Sequence, residues 1–435
     1  LILIATVIFG CNTSSNTEEN ILNTEQLVIA SETTVKGQRL SLIADQPIKN
    51  VIFMIGDGTG IAQLYSGQLQ EVGPDGYLHA QRLPITGIVK THSEDDLITD
   101  SASGATAYSC GIKTNNGVIA QDSKGNECVT LMELAQQAGM KTGLVATSGV
   151  THATPASFAT HIDSRNKYSE IAEQLVESEV DIILGGGLEY FIPSDSAGSN
   201  RDDQLNLLPS FEEKGYSVVL NRDAMIEEDA DKIVGLFSPS GMPSKNRIPS
   251  LAEMTSKAVD ELSSNDQGFF LMIEGSQIDW GGHANETPYV VREVEDFDNA
   301  IGVVLAFAEQ NPGTLVIITS DHETGGMTIN GVNSDNTIVD IAWTSTGHTG
   351  TPIPLMAYGP GAVEFSGWWD NTDIGKKIIN YMNEGKFVDD EIVNNLIKRE
   401  INDHEKKNKL IFDGYPRTLS QAKNLELLLK NSNQK

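Results

Sequence analysis

Carboxylate and imidazole side chains gather in four short segments of this sequence, and each segment follows a run of apolar residues. These segments are Gly56-Asp57-Gly58, Thr151-His152-Ala153-Thr154, Glu274 with Asp279 and His283, and Ser320-Asp321-His322. A further imidazole, His348, lies in a Gly-His-Thr-Gly run. Carboxylates and imidazoles without a cysteine thiolate favour zinc together with a harder cation such as Mg²⁺. One histidine alone is more often a hydrogen-bonded polar residue than a ligand, but this set together predicts a polynuclear metal site.

A serine at the start of a predicted small-residue helix is the second candidate for chemistry. The segment TDSASGATAYSC, residues 99–110, consists mainly of Ser, Ala, Gly and Thr, and Ser101 falls where the helix would begin. Its hydroxyl would lie beside free backbone N–H groups and the positive end of the helix dipole. Taken alone, Ser101 is best explained as an ordinary N-cap. The alternative is a nucleophile whose anion or bound phosphate lies on the helix N-terminus, and the metal-ligand segments favour that alternative.

Alternating strands and helices must position these side chains. The predicted strands are 51–55, 142–147, 181–184, 217–220, 269–273, 314–319 and 354–358, and the predicted helices are 130–138, 168–178, 250–262, 290–308 and 372–382. Continuous apolar strands that alternate with helices predict an α/β fold with a mostly parallel, doubly wound sheet flanked by helices on both faces. Ligands bind beyond the carboxyl ends of the strands in such a sheet, so the four segments should meet at one edge.

The composition limits the partners of this chain. Its 435 residues allow one large domain or up to three, and 60 acidic against 30 basic residues give a net charge of −30. This charge repels nucleic acid and anionic membranes, so no nucleic-acid partner is expected. An anionic substrate would need cations in the site itself.

Six motifs in this order resemble the alkaline phosphatase family. They are Gly56-Asp57-Gly58, Thr99-Asp100-Ser101-Ala102, Thr151-His152-Ala153-Thr154-Pro155, Glu274 through Asp279 to His283, Ser320-Asp321-His322 and Gly347-His348-Thr349. The match in order and spacing extends over residues 49–384. The resemblance implies the three-layer sandwich of that family and hydrolysis of phosphate monoesters to inorganic phosphate and an alcohol.

The resemblance also implies three metal sites. The ligands of the two zinc ions would be Asp279, His283 and His348 for the first, and Asp57, Asp321 and His322 for the second. A magnesium ion would share Asp57 and use Thr154, Glu274 and His152, the last directly or through water.

The remaining site residues follow from the same resemblance. Ser101, beside the second zinc, would attack phosphorus and form a phosphoserine, and Arg165 would clamp the phosphate because its planar fork grips two oxygens. Asp100 and Trp280 would line the substrate pocket, and Asp100 would also orient Arg165. Enterobacterial members have an acid and a lysine where this chain has His152 and Trp280. Easier phosphate release and a less selective third metal site are therefore expected.

Two related activities of the same superfamily fit this sequence less well. A sulfatase needs a C/S-x-P-x-R setting that the segment after Ser101 lacks, and superfamily phosphodiesterases lack the third-site Glu and Thr that are present here as Glu274 and Thr154. A phosphate-binding lipoprotein without turnover is an alternative from another class. The intact nucleophile and ligands argue against it.

Both ends of the chain differ in character from the middle. Residues 1–46 are predicted to be a signal or lipoprotein segment with a polar tether, residues 47–384 the phosphatase domain, and residues 385–435 a tail. The apolar run LILIATVIFG before Cys11 resembles a bacterial lipoprotein cleavage box. It predicts export to the periplasm or outer membrane of a Gram-negative bacterium, with a lipid on Cys11 as the membrane contact.

The tail, with its run Asp413-Gly414-Tyr415-Pro416-Arg417, resembles a fragment of adenylate kinase. No G-x-x-x-x-G-K-[ST] loop occurs in the sequence, so a non-catalytic tail is expected. Cys110 and Cys128 could pair in an oxidising compartment, but the position of Cys110 on the small-residue helix favours a buried free thiol. The family resemblance implies a homodimer.

Overall fold

The computed structural model describes residues 23–43 and 46–383, together with Lys423, Leu425 and Glu426. The strands are β1 (Asn23–Val28), β2 (Asn50–Gly56), β3 (Ile85–Lys90), β4 (Lys141–Gly149), β5 (Ile182–Gly186), β6 (Ser217–Val219), β7 (Ile233–Leu236), β8 (Phe269–Gly275), β9 (Thr314–Thr319), β10 (Glu323–Thr324), β11 (Met327–Val332), β12 (Ile338–Trp343), β13 (His348–Thr349), β14 (Ile353–Tyr358) and β15 (Gly367–Asp370). The helices are α1 (Ile61–Glu71), α2 (Ser101–Cys110), α3 (Leu131–Gln137), α4 (Ala153–Ala159), α5 (Tyr168–Glu177), α6 (Leu208–Glu213), α7 (Arg222–Glu227), α8 (Leu251–Leu262), α9 (Gln277–Ala284), α10 (Thr287–Gln310) and α11 (Asn371–Asn383).

A ten-stranded sheet forms the centre of the fold, in the order β15-β3-β14-β9-β2-β8-β4-β5-β7-β6. Within it β14 is antiparallel to both of its neighbours, and all other paired strands are parallel. The predicted mostly parallel α/β sheet is therefore confirmed. The strands β9, β2, β8 and β4 lie side by side and carry the four polar segments at their carboxyl ends.

The register of these strands brings their carboxyl ends level. Ile55 of β2 lies opposite Glu274 of β8 on one side and Thr319 of β9 on the other. Every residue of β2 is buried, and its side chains alternate between two apolar clusters on the two faces of the sheet. Burial on both faces explains why these strands read as continuous apolar runs.

Helix α2 is capped by Asp100, whose side chain accepts a hydrogen bond from the N–H of Ser103 at 3.0 Å. Ser101 is the first helical residue, so the structure does not support the alternative in which Ser101 is only an N-cap. The helix ends at Gly111, which adopts a left-handed conformation with φ 69°. All ten residues of α2 are buried, as its small side chains predict.

The N-terminal segment differs from the expected polar tether. Residues 23–28 form β1, which pairs antiparallel with β12 and so extends the β11–β12 hairpin to three strands. Leu27 is buried there, and it packs in the apolar cluster that also contains Val339 and Ile341. One buried leucine in a polar stretch is too weak a pattern to predict a strand from sequence.

The prediction that Cys110 is a free thiol is also wrong. Cys110 and Cys128 form a disulfide, with their Cα atoms 5.9 Å apart. The chain returns after α2 so that the N–H of Cys128 donates to the carbonyl of Ala120, which brings the two cysteines together.

Cys11 and the adenylate-kinase-like motif lie outside the described residues. Among the described helices, none is both long and apolar enough to cross a membrane.

Candidate metal centre

The four polar segments meet beyond the carboxyl edge of the sheet. Asp57 directly follows β2, Glu274 lies near the end of β8, and Asp321 with His322 directly follows β9. Thr154 lies on α4, which follows β4. All five side chains are fully buried. The structure therefore brings together the groups that the sequence places at one edge.

Asp279, His283 and His348 form the first group of donor atoms. One turn of α9 places Asp279 and His283 on the same face, and Oδ1 of Asp279 lies 3.4 Å from Nε2 of His283 and 3.5 Å from Nε2 of His348. The two Nε2 atoms are 3.1 Å apart. Nδ1 of His283 contacts the backbone carbonyl of Thr346 at 2.6 Å, and Nδ1 of His348 contacts that of Thr99 at 2.9 Å. A carbonyl can only accept, so each Nδ1 is the donor and each Nε2 is directed toward the other members of the group.

His322 is the centre of the second group. Its Nε2 lies 3.3 Å from Oδ2 of Asp321, 3.6 Å from Oδ1 of Asp57 and 3.3 Å from Oγ of Ser101. Its Nδ1 lies 3.2 Å from the hydroxyl of Thr324, so again Nε2 faces the other donors. The His322 and His348 rings stack with centroids 3.5 Å apart, which joins the two groups.

The spacing of both groups fits a tetrahedral cation such as zinc. Zinc holds nitrogen ligands at about 2.0–2.1 Å, so neighbouring donor atoms in a tetrahedral site lie about 3.3 Å apart. The distances in the two groups range from 3.1 to 3.6 Å. The Oγ of Ser101 lies at the same spacing and would itself be adjacent to a cation in the second group.

Asp57, Glu274 and His152 form a third group, with ligand atoms within 4.8 Å of one another. The Thr154 hydroxyl lies 3.5 Å from Oδ2 of Asp57. Oδ1 of Asp57, Oε1 of Glu274 and Oδ2 of Asp321 are buried without a hydrogen-bond partner in the protein. Buried carboxylate oxygens are stable when a cation or donor satisfies them, so this group fits a cation with oxygen ligands.

Burial controls the titration of these groups. Burial and the neighbouring carboxylates Asp321, Asp279 and Glu274 raise the pKa of Asp57 well above its usual value. Burial likewise raises the pKa of Glu274 to about 7. The same effect lowers the pKa of His322 well below its usual value, so this imidazole is a neutral base. Crowded buried carboxylates and neutral imidazoles are the donor set that metal cations require.

Arg165 lies beside this cluster and is held by Asp100. Its Nη1 donates to Oδ2 of Asp100 at 2.9 Å, and the N–H of Gly117 donates to the same oxygen at 3.0 Å. Burial alone would raise the pKa of Asp100, but Arg165 and the N–H of Ser103 outweigh it, so this pKa is lowered. The structure thus places Asp100 in direct contact with Arg165.

His152 faces Arg165 with Nε2 at 3.4 Å from Nη2, and its ring meets the edge of Trp280 with centroids 6.1 Å apart. Burial and the Arg165 charge lower the pKa of His152 to about 3, so the ring is neutral. A guanidinium can only donate, so Nε2 accepts and the proton lies on Nδ1. Nδ1 of His152 is buried without a hydrogen-bond partner in the protein. His152 and Trp280 also line a cavity of about 270 Å³.

Sequence reasoning missed three hydroxyl residues that hold the ligands. The hydroxyl of Thr324 donates to Oδ1 of Asp279 and contacts His322. Ser148 and Ser276 approach Glu274, with Ser276 Oγ 2.6 Å from Oε2. Each lies within six residues of a ligand in the chain, but hydroxyl residues are too common near strand ends for that position to be a signal.

Comparison with protein families gives two matches along the chain. A family model described as alkaline phosphatase matches residues 48–339, and one described as adenylate kinase matches residues 367–435. Alkaline phosphatase 4 of Bacillus subtilis is 33% identical over 423 residues, which covers 78% of this chain and 90% of the relative. The alkaline phosphatase of Escherichia coli K12 is 30% identical over 404 residues, covering 76% of this chain and 85% of the relative.

Solved structures give the same result. The alkaline phosphatase from the Antarctic bacterium TAB5 has a TM-score of 0.71 at 39% identity, covering 78% of this chain and 99% of that one. A variant of the TAB5 enzyme with Mg bound in its M3 site has a TM-score of 0.70 at 37% identity, with the same coverage.

Proposed function

This chain belongs to the alkaline phosphatase family and hydrolyses phosphate monoesters, and we propose that it does so through a phosphoserine on Ser101. The observation that carries this proposal is the position of Ser101. Its Oγ lies at the N-terminus of α2 and 3.3 Å from Nε2 of His322, within the second donor group. Among the residues that the structure describes, no other serine or threonine hydroxyl forms a hydrogen bond with that nitrogen.

The proposed cofactors are two zinc ions and one magnesium ion. Asp279, His283 and His348 would hold the first zinc, and Asp57, Asp321 and His322 the second. Asp57, Glu274 and Thr154 would hold magnesium, with His152 in contact directly or through water. When bound, the cations would supply positive charge to the phosphate oxygens, and zinc would bring its bound water to a pKa of roughly 7.

The residues of this chain then have distinct tasks. The Oγ of Ser101 forms a bond to phosphorus while the bond to the alcohol oxygen breaks, and water later displaces Oγ to release phosphate. The backbone N–H groups at the start of α2 favour negative charge on Oγ and on the phosphate. Arg165, oriented by Asp100, binds phosphate oxygens with its remaining N–H groups.

Partners and location are proposed from the sequence. We propose small phosphorylated substrates, export to the periplasm or outer membrane of a Gram-negative bacterium, a lipid on Cys11 and a homodimer. The supporting features are the apolar run before Cys11 and the net charge of −30. Residues 385–435 are proposed to lack nucleotide binding, because the sequence contains no phosphate-binding loop. Saturable AMP binding to the full chain would contradict that.

Hydrolysis of p-nitrophenyl phosphate by wild type and by Ser101→Ala, each with and without a chelator, tests the proposal. We expect wild-type turnover that a chelator abolishes and that zinc plus magnesium restores. Ser101→Ala should lose nearly all turnover while keeping its metal content, because the donor groups remain. Turnover that survives both the chelator and the substitution would contradict the proposal.

A further inference from the structure

The carboxylate of Glu274 has two oxygens in very different surroundings. Two buried hydroxyls approach Oε2, Oγ of Ser276 at 2.6 Å and Oγ of Ser148 at 3.3 Å. Oε1 is buried and has no hydrogen-bond partner in the protein. All three residues are fully buried. The protein therefore occupies one oxygen of Glu274 and leaves the other to the group that contains Asp57.

The direction of the short hydrogen bond is fixed by the backbone. The N–H of Ser148 donates to Oγ of Ser276 at 2.9 Å, so this oxygen is an acceptor there and its own O–H is free to donate to Glu274. The N–H of Ser276 is held in turn by the hydroxyl of Thr147 at 2.9 Å. Each hydroxyl also has a second acceptor, the carbonyl of Gly149 at 3.2 Å for Ser148 and Oγ of Ser148 at 3.1 Å for Ser276. Ser276 is the principal donor to Glu274, because its 2.6 Å contact with Oε2 is much shorter than the 3.3 Å contact of Ser148.

A carboxylate held in this way presents its unoccupied oxygen to a cation, while the serine hydroxyls compete with the cation for the other oxygen. Ca²⁺ commonly takes both oxygens of a carboxylate in a flexible shell of six to eight ligands, whereas Mg²⁺ requires a small octahedral shell. The neighbouring donors from Asp57 and Thr154 are also oxygens. We propose that Ser276, supported by Ser148, is a positioning residue that restricts Glu274 to one oxygen and thereby selects Mg²⁺ over Ca²⁺ at the third site.

This inference rests on the proposed function, because it takes the third donor group to be the magnesium site. It goes beyond the set of ligands, because neither serine would touch the metal. Its readout is metal selectivity, which a merely structural role of a buried serine would not change. Outer residues that hold metal ligands typically contribute about 10-fold to 100-fold to metal affinity.

The test is calorimetric titration of the zinc-loaded protein with MgCl₂ and, separately, with CaCl₂. Wild type should bind Mg²⁺ more tightly than Ca²⁺. Ser276→Ala should weaken Mg²⁺ binding by about 10-fold to 100-fold. It should also reduce the preference for Mg²⁺ over Ca²⁺, because the released Oε2 of Glu274 can join the larger ligand shell of Ca²⁺. Ser148→Ala should have a smaller effect, since the N–H that orients Ser276 is retained.

Ser66→Ala is the matched control, because Ser66 is a buried serine whose hydroxyl donates to the carbonyl of Gln63 at 2.7 Å. It should bind both cations like wild type. Ser276→Cys keeps a side chain of similar size but replaces the hydroxyl with a weaker hydrogen-bond donor. It should cause an intermediate loss of Mg²⁺ affinity, and it remains informative if Ser276→Ala fails to fold.

Two results would overturn the inference, and they are distinguishable. If Ser276→Ala or Ser276→Cys binds Mg²⁺ with wild-type affinity and wild-type preference over Ca²⁺, the positioning role is wrong and the proposed function stands. If wild type itself binds no Mg²⁺, the proposed magnesium site is wrong and the inference falls with it.

Discussion

At the scale of single residues, Asp100 joins the start of the nucleophile helix to the arginine proposed to bind phosphate. One oxygen caps α2 through the N–H of Ser103, and the other accepts from Arg165 and from the N–H of Gly117. A single carboxylate thus fixes the distance between the helix start and the guanidinium. Small errors in that distance are costly when two groups must hold the same phosphate.

Substitution of Asp100 should separate these two tasks. Asn is as good an N-cap as Asp, so Asp100→Asn should keep the helix start but lose the charged contact to Arg165. The inhibition constant for inorganic phosphate should therefore rise several-fold, equivalent to about 1 kcal/mol. Asp100→Ala should show the same rise together with about 1 kcal/mol of lost folding stability.

Phosphate inhibition and thermal melting measure the two effects of Asp100. Asp122→Asn is the control, since the Asp122 carboxylate accepts hydrogen bonds only from Lys124 and Asn126 in its own loop. An unchanged inhibition constant in both Asp100 variants would show that Arg165 does not depend on Asp100.

At the scale of elements, α2 lies close beneath the loop that carries two of the proposed zinc ligands. A Cβ on Gly104 would come within 3.1 Å of the carbonyl oxygen of Asp321 and 3.2 Å of its Cβ. The hydroxyl of Tyr108 on the same helix donates to the carbonyl of Ser320 at 2.8 Å. The small residues of α2 therefore set the position of Asp321 and His322 relative to Ser101.

Gly104→Ala should push that loop away from the helix. In an open helix, Ala would be favoured over Gly by roughly 0.5–1 kcal/mol, so a lower melting temperature would identify the steric clash. We expect this lower melting temperature together with faster loss of zinc to a chelator. Gly350→Ala is the control, because the nearest atoms to its added Cβ would be 3.8 Å away. Wild-type melting and zinc retention in Gly104→Ala would contradict the close packing.

The contact between α3 and the segment after α4 should depend on pH. Nε2 of His161 lies 3.0 Å from Oε1 of Glu133. Burial alone lowers the pKa of His161, but Glu133 and the carbonyl of Ala120 outweigh it, so the pKa is raised. Burial alone raises the pKa of Glu133, but His161 and the N–H of Thr130 outweigh it, so that pKa is lowered.

The signs of these shifts define the pH window. The contribution of His161 to the free energy of unfolding is complete below its unfolded pKa of about 6.5. It is lost as pH rises through the raised pKa of the folded state. The contribution of Glu133 is present above about 4.3 and is lost as pH falls through its lowered value. His161→Gln should therefore lower the melting temperature more at about pH 5.5 than at about pH 9. An equal decrease in melting temperature at the two pH values would contradict this interpretation. It would also be contradicted if His161→Gln had the same pH-dependent effect in a Glu133→Gln background as in wild type.

The sequence predicts much of the fold and site, and particular elements show where it fails. The apolar runs that end at Asp57, Glu274 and Asp321 are predictable, because strands buried on both faces have no polar alternation to obscure them. The reversed direction of β14 is not predictable, because its residues are as buried as those of a parallel strand. The roles of Ser148 and Ser276 depend on contacts across 128 residues of sequence, which no local pattern contains.

At the scale of the whole molecule, a strongly acidic protein surrounds a site that must attract an anion. The net charge is −30, and the described site contributes four buried carboxylates, Asp57, Glu274, Asp279 and Asp321. Positive charge near the substrate must come from bound cations and Arg165. The overall charge therefore opposes folding through self-repulsion, while the local charge of the loaded site serves catalysis.

Salt should stabilise this protein. Raising NaCl from about 20 mM to about 300 mM shortens the screening length and weakens repulsion among the excess carboxylates. The melting temperature should increase, and the increase should shrink at about pH 5, where the net charge is closer to zero. A decrease with salt at neutral pH would mean that surface ion pairs outweigh the net repulsion.

The central claim is that Ser101 carries the phosphoryl group during turnover. The most direct measurement is acid quenching of the enzyme during hydrolysis of a phosphate monoester, followed by digestion and mass spectrometry of the peptide that contains Ser101. The account predicts one added phosphoryl group on Ser101 in wild type and none in Ser101→Ala. Rapid turnover with a phosphoryl group on another residue, or on no residue at any quench time, would contradict it.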